Sequence, residues 1–228
     1  MALLAQALRH HPGATGLSLS RLTFEILGPI PLTPCEVEVE VLRPGKRIEW
    51  LKGTLRSEGR TCLVAHAWRL ERVPGVVPAV PTTWVPPALP AHESEGFFPG
   101  QGHFPYGDAL EWRFAEGGFA ELGPATAWAR PRIPLIDGQA LDPLDRLLIL
   151  MDSANGISGA LDFQRYTFVP VELTLHLVRP PEGEWMGLAA RTVIDGAGTG
   201  LVTSHAFDHR GEVGMGLHSL FVRPLNPR

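Results

Sequence analysis

Cysteine is almost absent from this chain: Cys35 and Cys62 are the only two in 228 residues, and they have no C-x-x-C spacing. That excludes a disulfide-stapled scaffold and a cysteine-ligated metal site. It points instead to buried free thiols in a reducing compartment, so the expected location is the cytoplasm. Excess positive charge is missing too. A net charge of −4 gives no field to attract nucleic acid, which is not expected as a partner. No apolar run approaches the roughly 20 residues needed to span a bilayer, so no membrane partner is expected either. The segment from Met1 to His11 lacks the basic start and small-residue cleavage site of a signal peptide. His10-His11 and the scattered remaining histidines have no metal-binding spacing, and neither a metal nor a cofactor is expected. The common catalytic signatures are also missing. Gly156-Ile157-Ser158-Gly159 has the wrong spacing for a nucleophile elbow, and Gly45-Lys46 is a turn, not a phosphate loop. Gly196-Ala197-Gly198-Thr199-Gly200 joins two strand patterns and reads as a hairpin turn, not a dinucleotide loop.

What is present is an internal echo. The stretch from Leu22 to Pro29 matches the pattern from Leu173 to Pro180 at an offset of 151 residues, Thr23 against Thr174. Downstream the register holds within one residue: Gly59 answers Gly211, and His66 answers His218. A period this long means two copies of a domain-sized unit, not a solenoid.

Ala2 to Leu8 consists of strong helix formers stopped by Pro12-Gly13. Val37, Val39 and Val41 then alternate with Glu36, Glu38 and Glu40, the mark of a strand with one face on a core. Turns at Arg43 to Lys46 and Ser57 to Arg60 predict an antiparallel meander after the helix. Between Val73 and Tyr106 eight prolines exclude helix and central strand. This segment is predicted to be an extended connector over the surface, anchored by Phe97, Phe98 and Phe104. The second unit is expected to bring strands at 110–114 and 125–132, a helix over 141–155, and strands at 171–178, 185–194, 201–207 and 215–222. In that helix Leu144, Leu147, Leu148 and Met151 share a face, and Asp142 caps it ahead of Pro143. The implied organisation is an N-terminal unit over 1–73, a connector over 74–106 and a C-terminal unit over 107–228. Against the second unit, the first begins in mid-pattern. A full copy would need about 45 further residues before Met1, carrying two strands and the front of the helix.

Asp152 follows the apolar run from Leu147 to Met151, near the end of a helix that should be wrapped by sheet. A carboxylate there needs partners or a wet cleft, or else it meets solvent at a terminal turn. Asp152 to Ser158, Val171 to Pro181, Glu184-Trp185, Ala190-Arg191-Thr192 and Ser219 to Pro224 resemble the C-terminal half of bacterial TesB-like acyl-CoA thioesterases, and 22–70 is similar to their N-terminal unit. The resemblance implies an α+β double hotdog, in which two helices are each wrapped by an antiparallel sheet, with the first hotdog lacking its N-terminal strands. It also implies an Asp, a Thr or Ser, and a Gln that hold a water against an acyl-CoA thioester. Asp152 matches the Asp and Thr192 the hydroxyl residue. His218 falls on the Gln position and departs from the pattern; imidazole can accept, donate or serve as base. Asn155 and Ser219 flank these positions as candidate substrate contacts.

The expectation is therefore hydrolysis of acyl-CoA to free acid and CoA, with acyl-CoA as partner and a homodimer as a possible assembly. The alternative is a non-catalytic protein that binds acyl-CoA or a small hydrophobic ligand on the same fold. A hotdog dehydratase would need an Asp and His close together at the helix entrance, and no such pair surrounds Asp152.

Overall fold

Ten antiparallel strands form one continuous sheet in the computed structural model, which describes residues 1–13, 15–94 and 104–225. Helix α1 (Ala2–His10) is followed by β1 (Leu17–Ile26), β2 (Cys35–Arg43), β3 (Ile48–Ser57) and β4 (Arg60–Glu71). After the proline-rich segment come the short α2 (Pro105–Asp108), β5 (Leu110–Glu116), β6 (Ala125–Pro131), α3 (Pro143–Met151) and α4 (Ala154–Ile157). Strands β7 (Tyr166–Leu177), β8 (Met186–Ile194), β9 (Thr199–Asp208) and β10 (Gly211–Pro224) complete the chain. The strand order is β2-β3-β4-β1-β7-β10-β9-β8-β6-β5. The predicted meander is present as β2-β3-β4, but β1 returns beside β4.

The echo at 151 residues is a structural symmetry. Strands β1 and β7 pair antiparallel with Thr23 opposite Thr174, and the two hydroxyl oxygens lie 3.3 Å apart. Each side of that seam repeats the other. Leu51 pairs with Ala67 as Val202 pairs with His218, and Val41 pairs with Leu51 as Thr192 pairs with Val202. Even the bulge recurs: Cys62 is the extra residue between Thr61 and Leu63, and Val213 the extra residue between Glu212 and Gly214. This corrects the pairing of His66 with His218. In the strand register Ala67 answers His218, and Arg60 answers Gly211. The one-residue slip matters because it reverses the face on which a side chain lies.

One face of the sheet carries the helices and a single core. Leu4 and Leu8 of α1, Leu147, Leu148 and Met151 of α3, and Ile157 of α4 are buried there against Leu22, Phe24, Leu173, Leu175, Leu188 and Ala206. Gly216 leaves room for the Met151 side chain where any Cβ would collide with it. Asp142 caps α3 by accepting from the Leu144 amide at 2.9 Å, ahead of Pro143, as the sequence predicts. The predicted helix over 141–155 is broken, however. It stops at Met151, turns through Asp152 and Ser153, and resumes as α4. Arg9 of α1 pairs with Asp142 and with the buried Asp145, joining the helices of the two halves.

The opposite face differs between the halves. On the C-terminal half the proline-rich segment lies across the strands. Trp84 stacks on His205 with ring centroids 4.6 Å apart and packs against Phe207, whose ring covers Gly187. Farther along, Ser94 bonds to Trp112 and Phe114, and Arg113 donates to the carbonyls of Pro90 and Ala91. The segment ends in α2, a single helical turn begun by Pro105, where no helix was expected. The predicted anchors Phe97 and Phe98 lie outside the described residues. Cys62 is buried, but Cys35 is exposed, contrary to the expectation for both thiols. Among the described residues no helix is long and apolar enough to cross a membrane.

Candidate active site

The break between α3 and α4 places Asp152 at the end of a buried helix, facing a cleft of about 650 Å³. The cleft lies across the seam. Ile26, Leu27, Gly28, Pro29, Ile30 and Leu63 come from the N-terminal half, and Val169, Pro170 and Val171 from β7; Met1 completes the wall. Its lining is mostly apolar, and Asp152 supplies its one carboxylate among the described residues. The Asp152 side chain meets solvent through the cleft, yet the crowding walls raise its pKa above the usual carboxylate range, opposed by the nearby Met1 amino group. An apolar cleft with one carboxylate in its wall suits a long apolar ligand whose polar reacting group meets a general base.

Thr192 lies on β8 and is buried. Its hydroxyl is 2.7 Å from Ser158 Oγ, and Ser158 Oγ donates to the Ala154 carbonyl at 2.7 Å. A hydroxyl has one hydrogen to give. Ser158 has committed its own, so Thr192 donates to Ser158 and keeps its lone pairs free to accept. Ser158 was not anticipated from the sequence, where Gly156 to Gly159 shows no motif.

His218 projects from β10 on the helix side and is 1% exposed. Neither ring nitrogen has a hydrogen-bond partner in the protein. Burial lowers its pKa to about 4, against the opposing charge of Glu172, so the ring is neutral at pH 7. Thr192, Val202 and His218 form one row across three adjacent strands, which sets Thr192 and His218 about 10 Å apart at the backbone. Neither lines the Asp152 cleft.

The two flanking candidates separate from this group. Ser219 follows His218 along the strand and so lies on the opposite face, where its amide donates to Glu172 Oε1 at 2.7 Å. Asn155 is half-buried on α4, outside the cleft walls. Among the described residues no cluster of His, Cys, Asp and Glu could hold a metal ion.

A family model of the acyl-CoA thioesterase N-terminal domain matches residues 1–70, and one of the C-terminal domain matches residues 85–222. Among solved structures, acyl-CoA thioesterase II TesB2 from Mycobacterium marinum superposes with a TM-score of 0.71 at 16% identity, covering 99% of this chain and 87% of that one. A hot dog fold protein of unknown function from Alicyclobacillus acidocaldarius gives 0.76 at 18% identity, covering 100% and 86%. A TesB protein from Mycobacterium avium subspecies paratuberculosis gives 0.67 at 15%, covering 97% and 84%. Curated protein sequences returned no match. These likenesses make the ten-stranded sheet with its inner helices a double hotdog, and the two family matches together span almost the whole chain. The chain belongs to the acyl-CoA thioesterase family, whose members are thioester hydrolases.

Proposed function

We propose that this protein hydrolyses acyl-CoA to free acid and CoA, with the acyl chain in the apolar cleft across the seam and Asp152 as general base. The observation that carries this reading is the Asp152 carboxylate in the wall of that cleft, its pKa raised by the surrounding walls. A base whose pKa lies closer to the working pH transfers protons more effectively. Asp152 takes a proton from water as the water oxygen bonds to the thioester carbon. The resulting tetrahedral oxyanion collapses, the carbon–sulfur bond breaks, and the proton passes to the departing CoA sulfur. Thr192 lies outside the cleft and acts from behind it: its hydroxyl donates to Ser158, which holds the Ala154 carbonyl at the start of α4, two residues after Asp152. His218, at the family Gln position, stays neutral and walled in outside the cleft, away from the oxyanion that forms beside Asp152. The same reading assigns 1–73 to an N-terminal unit, 74–106 to the connector and 107–228 to the unit that carries the chemistry.

A second reading, acyl binding without turnover, is favoured by the walling-in of His218 and the engagement of Thr192. The two are separated by measuring free CoA thiol released from a panel of acyl-CoA chain lengths. Hydrolysis predicts release that Asp152→Asn reduces by about 10²-fold or more. Binding without release at every chain length would establish the second reading.

A further inference from the structure

Asp152 sits in a turn that is pinned from outside the helices. A helix ends with carbonyls that have no partner within it, and α3 ends just before Asp152. One of those carbonyls, on Ile149, accepts from the Tyr106 hydroxyl at 2.7 Å. The same phenol oxygen is 2.5 Å from Ser153 Oγ. Because a carbonyl can only accept, Tyr106 spends its one hydrogen on Ile149, and Ser153 donates to Tyr106. The phenol therefore links a residue three before Asp152 to the residue after it.

Ser153 is the pivot of the break. Its amide closes the end of α3 on the Leu150 carbonyl at 2.9 Å, and its carbonyl accepts from Ile157 at 2.9 Å to start α4. Tyr106 itself is fixed by α2, whose turn is closed by Asp108 to Phe104 and Ala109 to Pro105 backbone bonds and leads directly into β5. Phe104 fills the space beside Gly107. The anchor thus belongs to the connector and the sheet edge, not to the helix it steadies.

We propose that Tyr106 is the positioning residue for Asp152: through Ile149 and Ser153 it locks the α3–α4 turn so that the carboxylate points into the cleft. This rests on the reading of Asp152 as the base. Tyr106 does not touch substrate; it acts by holding the orientation on which proton transfer depends, where small misplacements are costly.

The test uses the full chain with Tyr106→Phe, which keeps the ring and removes both bonds, together with Ser153→Ala and the double variant. Tyr106→Phe is expected to lower kcat by about 10-fold or more, with KM within about twofold and Tm nearly unchanged. Ser153→Ala should lower kcat as well, and the double variant should fall no further than Tyr106→Phe, because both changes remove one linkage. Unchanged kcat in Tyr106→Phe, or a rise in KM accompanied by lost stability, would overturn the proposal. A second readout needs no turnover: amide exchange at Ser153 and Ala154 should speed up about 10-fold in Tyr106→Phe while α1 stays as it was. Unchanged exchange refutes the locking role. Failure of the Asp152 reading would appear separately, as wild-type turnover that Asp152→Asn leaves intact.

Discussion

The two halves of the sheet share a register over most of their length, yet they hold different chemistry at equivalent points. Where the C-terminal half has Thr192 on β8, the N-terminal half has Val41 on β2; where one has His218, the other has Ala67. The fold position is the same, so the fold does not require a polar group there. A buried imidazole without partners costs stability, and Ala67 shows that the same strand closes without it. The polar pair is kept in the half whose edge is closed. Strand β8 is covered by β6, which lines Ala125, Ala127 and Ala129 against it, while β2 leaves Val37, Val39 and Val41 half-exposed at an open edge. The outer faces differ in the same sense. Trp84 roofs the C-terminal half, whereas on the N-terminal half Trp50 stacks on His66 and Trp68.

Converting one half to the other tests what the difference does. Thr192→Val installs the residue of the N-terminal half and removes the hydroxyl that holds Ser158 and, through it, the start of α4 beside Asp152. Turnover should fall by about 100-fold, measured as CoA release, with the fold intact by circular dichroism. Equal turnover would place the chemistry elsewhere.

His218→Ala makes the second conversion. The folded pKa of His218 is about 4, below the ordinary 6.5, so the unfolded chain binds the proton first as pH falls. This stability is fully present above pH 6.5 and drains away between 6.5 and 4, by about 3 kcal/mol in all. Urea titrations at pH 7 and pH 4.5 should show that loss in the wild type and a smaller one in His218→Ala. Equal losses would mean that the imidazole is protonated in the folded state.

The smallest effect concerns the roof. Trp84→Ala removes the stack on His205 and the contact with Phe207, and thermal unfolding should drop by a few degrees, from about 1 kcal/mol. Trp50→Ala, which removes the longer stacks on His66 and Trp68 at 5.5 and 5.6 Å, should cost less. The reverse order would mean that the strap is not part of the stable structure.

Much of this was legible in the sequence, for local reasons. The cap at Asp142-Pro143, the alternation from Glu36 to Val41 and the hairpin turn expected over Gly196 to Gly200 depend on neighbours in the chain; the first two stand as expected, and the turn joins β8 to β9 with its Gly198 amide on the Asp195 carbonyl. The repeat gave the right offset at Thr23 and Thr174, but its histidine pairing slipped by one. A bulge at Cys62 and its twin at Val213 look, in sequence alone, like any other strand residue. Asp152 stands out in the sequence as a carboxylate ending an apolar run, while Thr192 and His218 are candidates through family likeness; nothing in their spacing signals that they belong together. Ser158 and Tyr106 gave no signal at all. Their hydroxyls meet partners 34 and 47 residues away, contacts that only the closed sheet creates. The helix break at Asp152 was hidden for a related reason. The apolar period runs through Met151, and the turn is set by bonds from outside the helix.

The central claim is that the C-terminal half hydrolyses a thioester through Asp152 in the cleft at the seam. The most direct measurement is kcat/KM for CoA release by wild type and Asp152→Asn, on the best acyl-CoA substrate and across pH. The account predicts a loss of at least about 100-fold, and a wild-type acid limb set by a pKa above the ordinary carboxylate value because the walls raise it. Asp152→Asn retaining wild-type turnover, with the same acid limb, would contradict it.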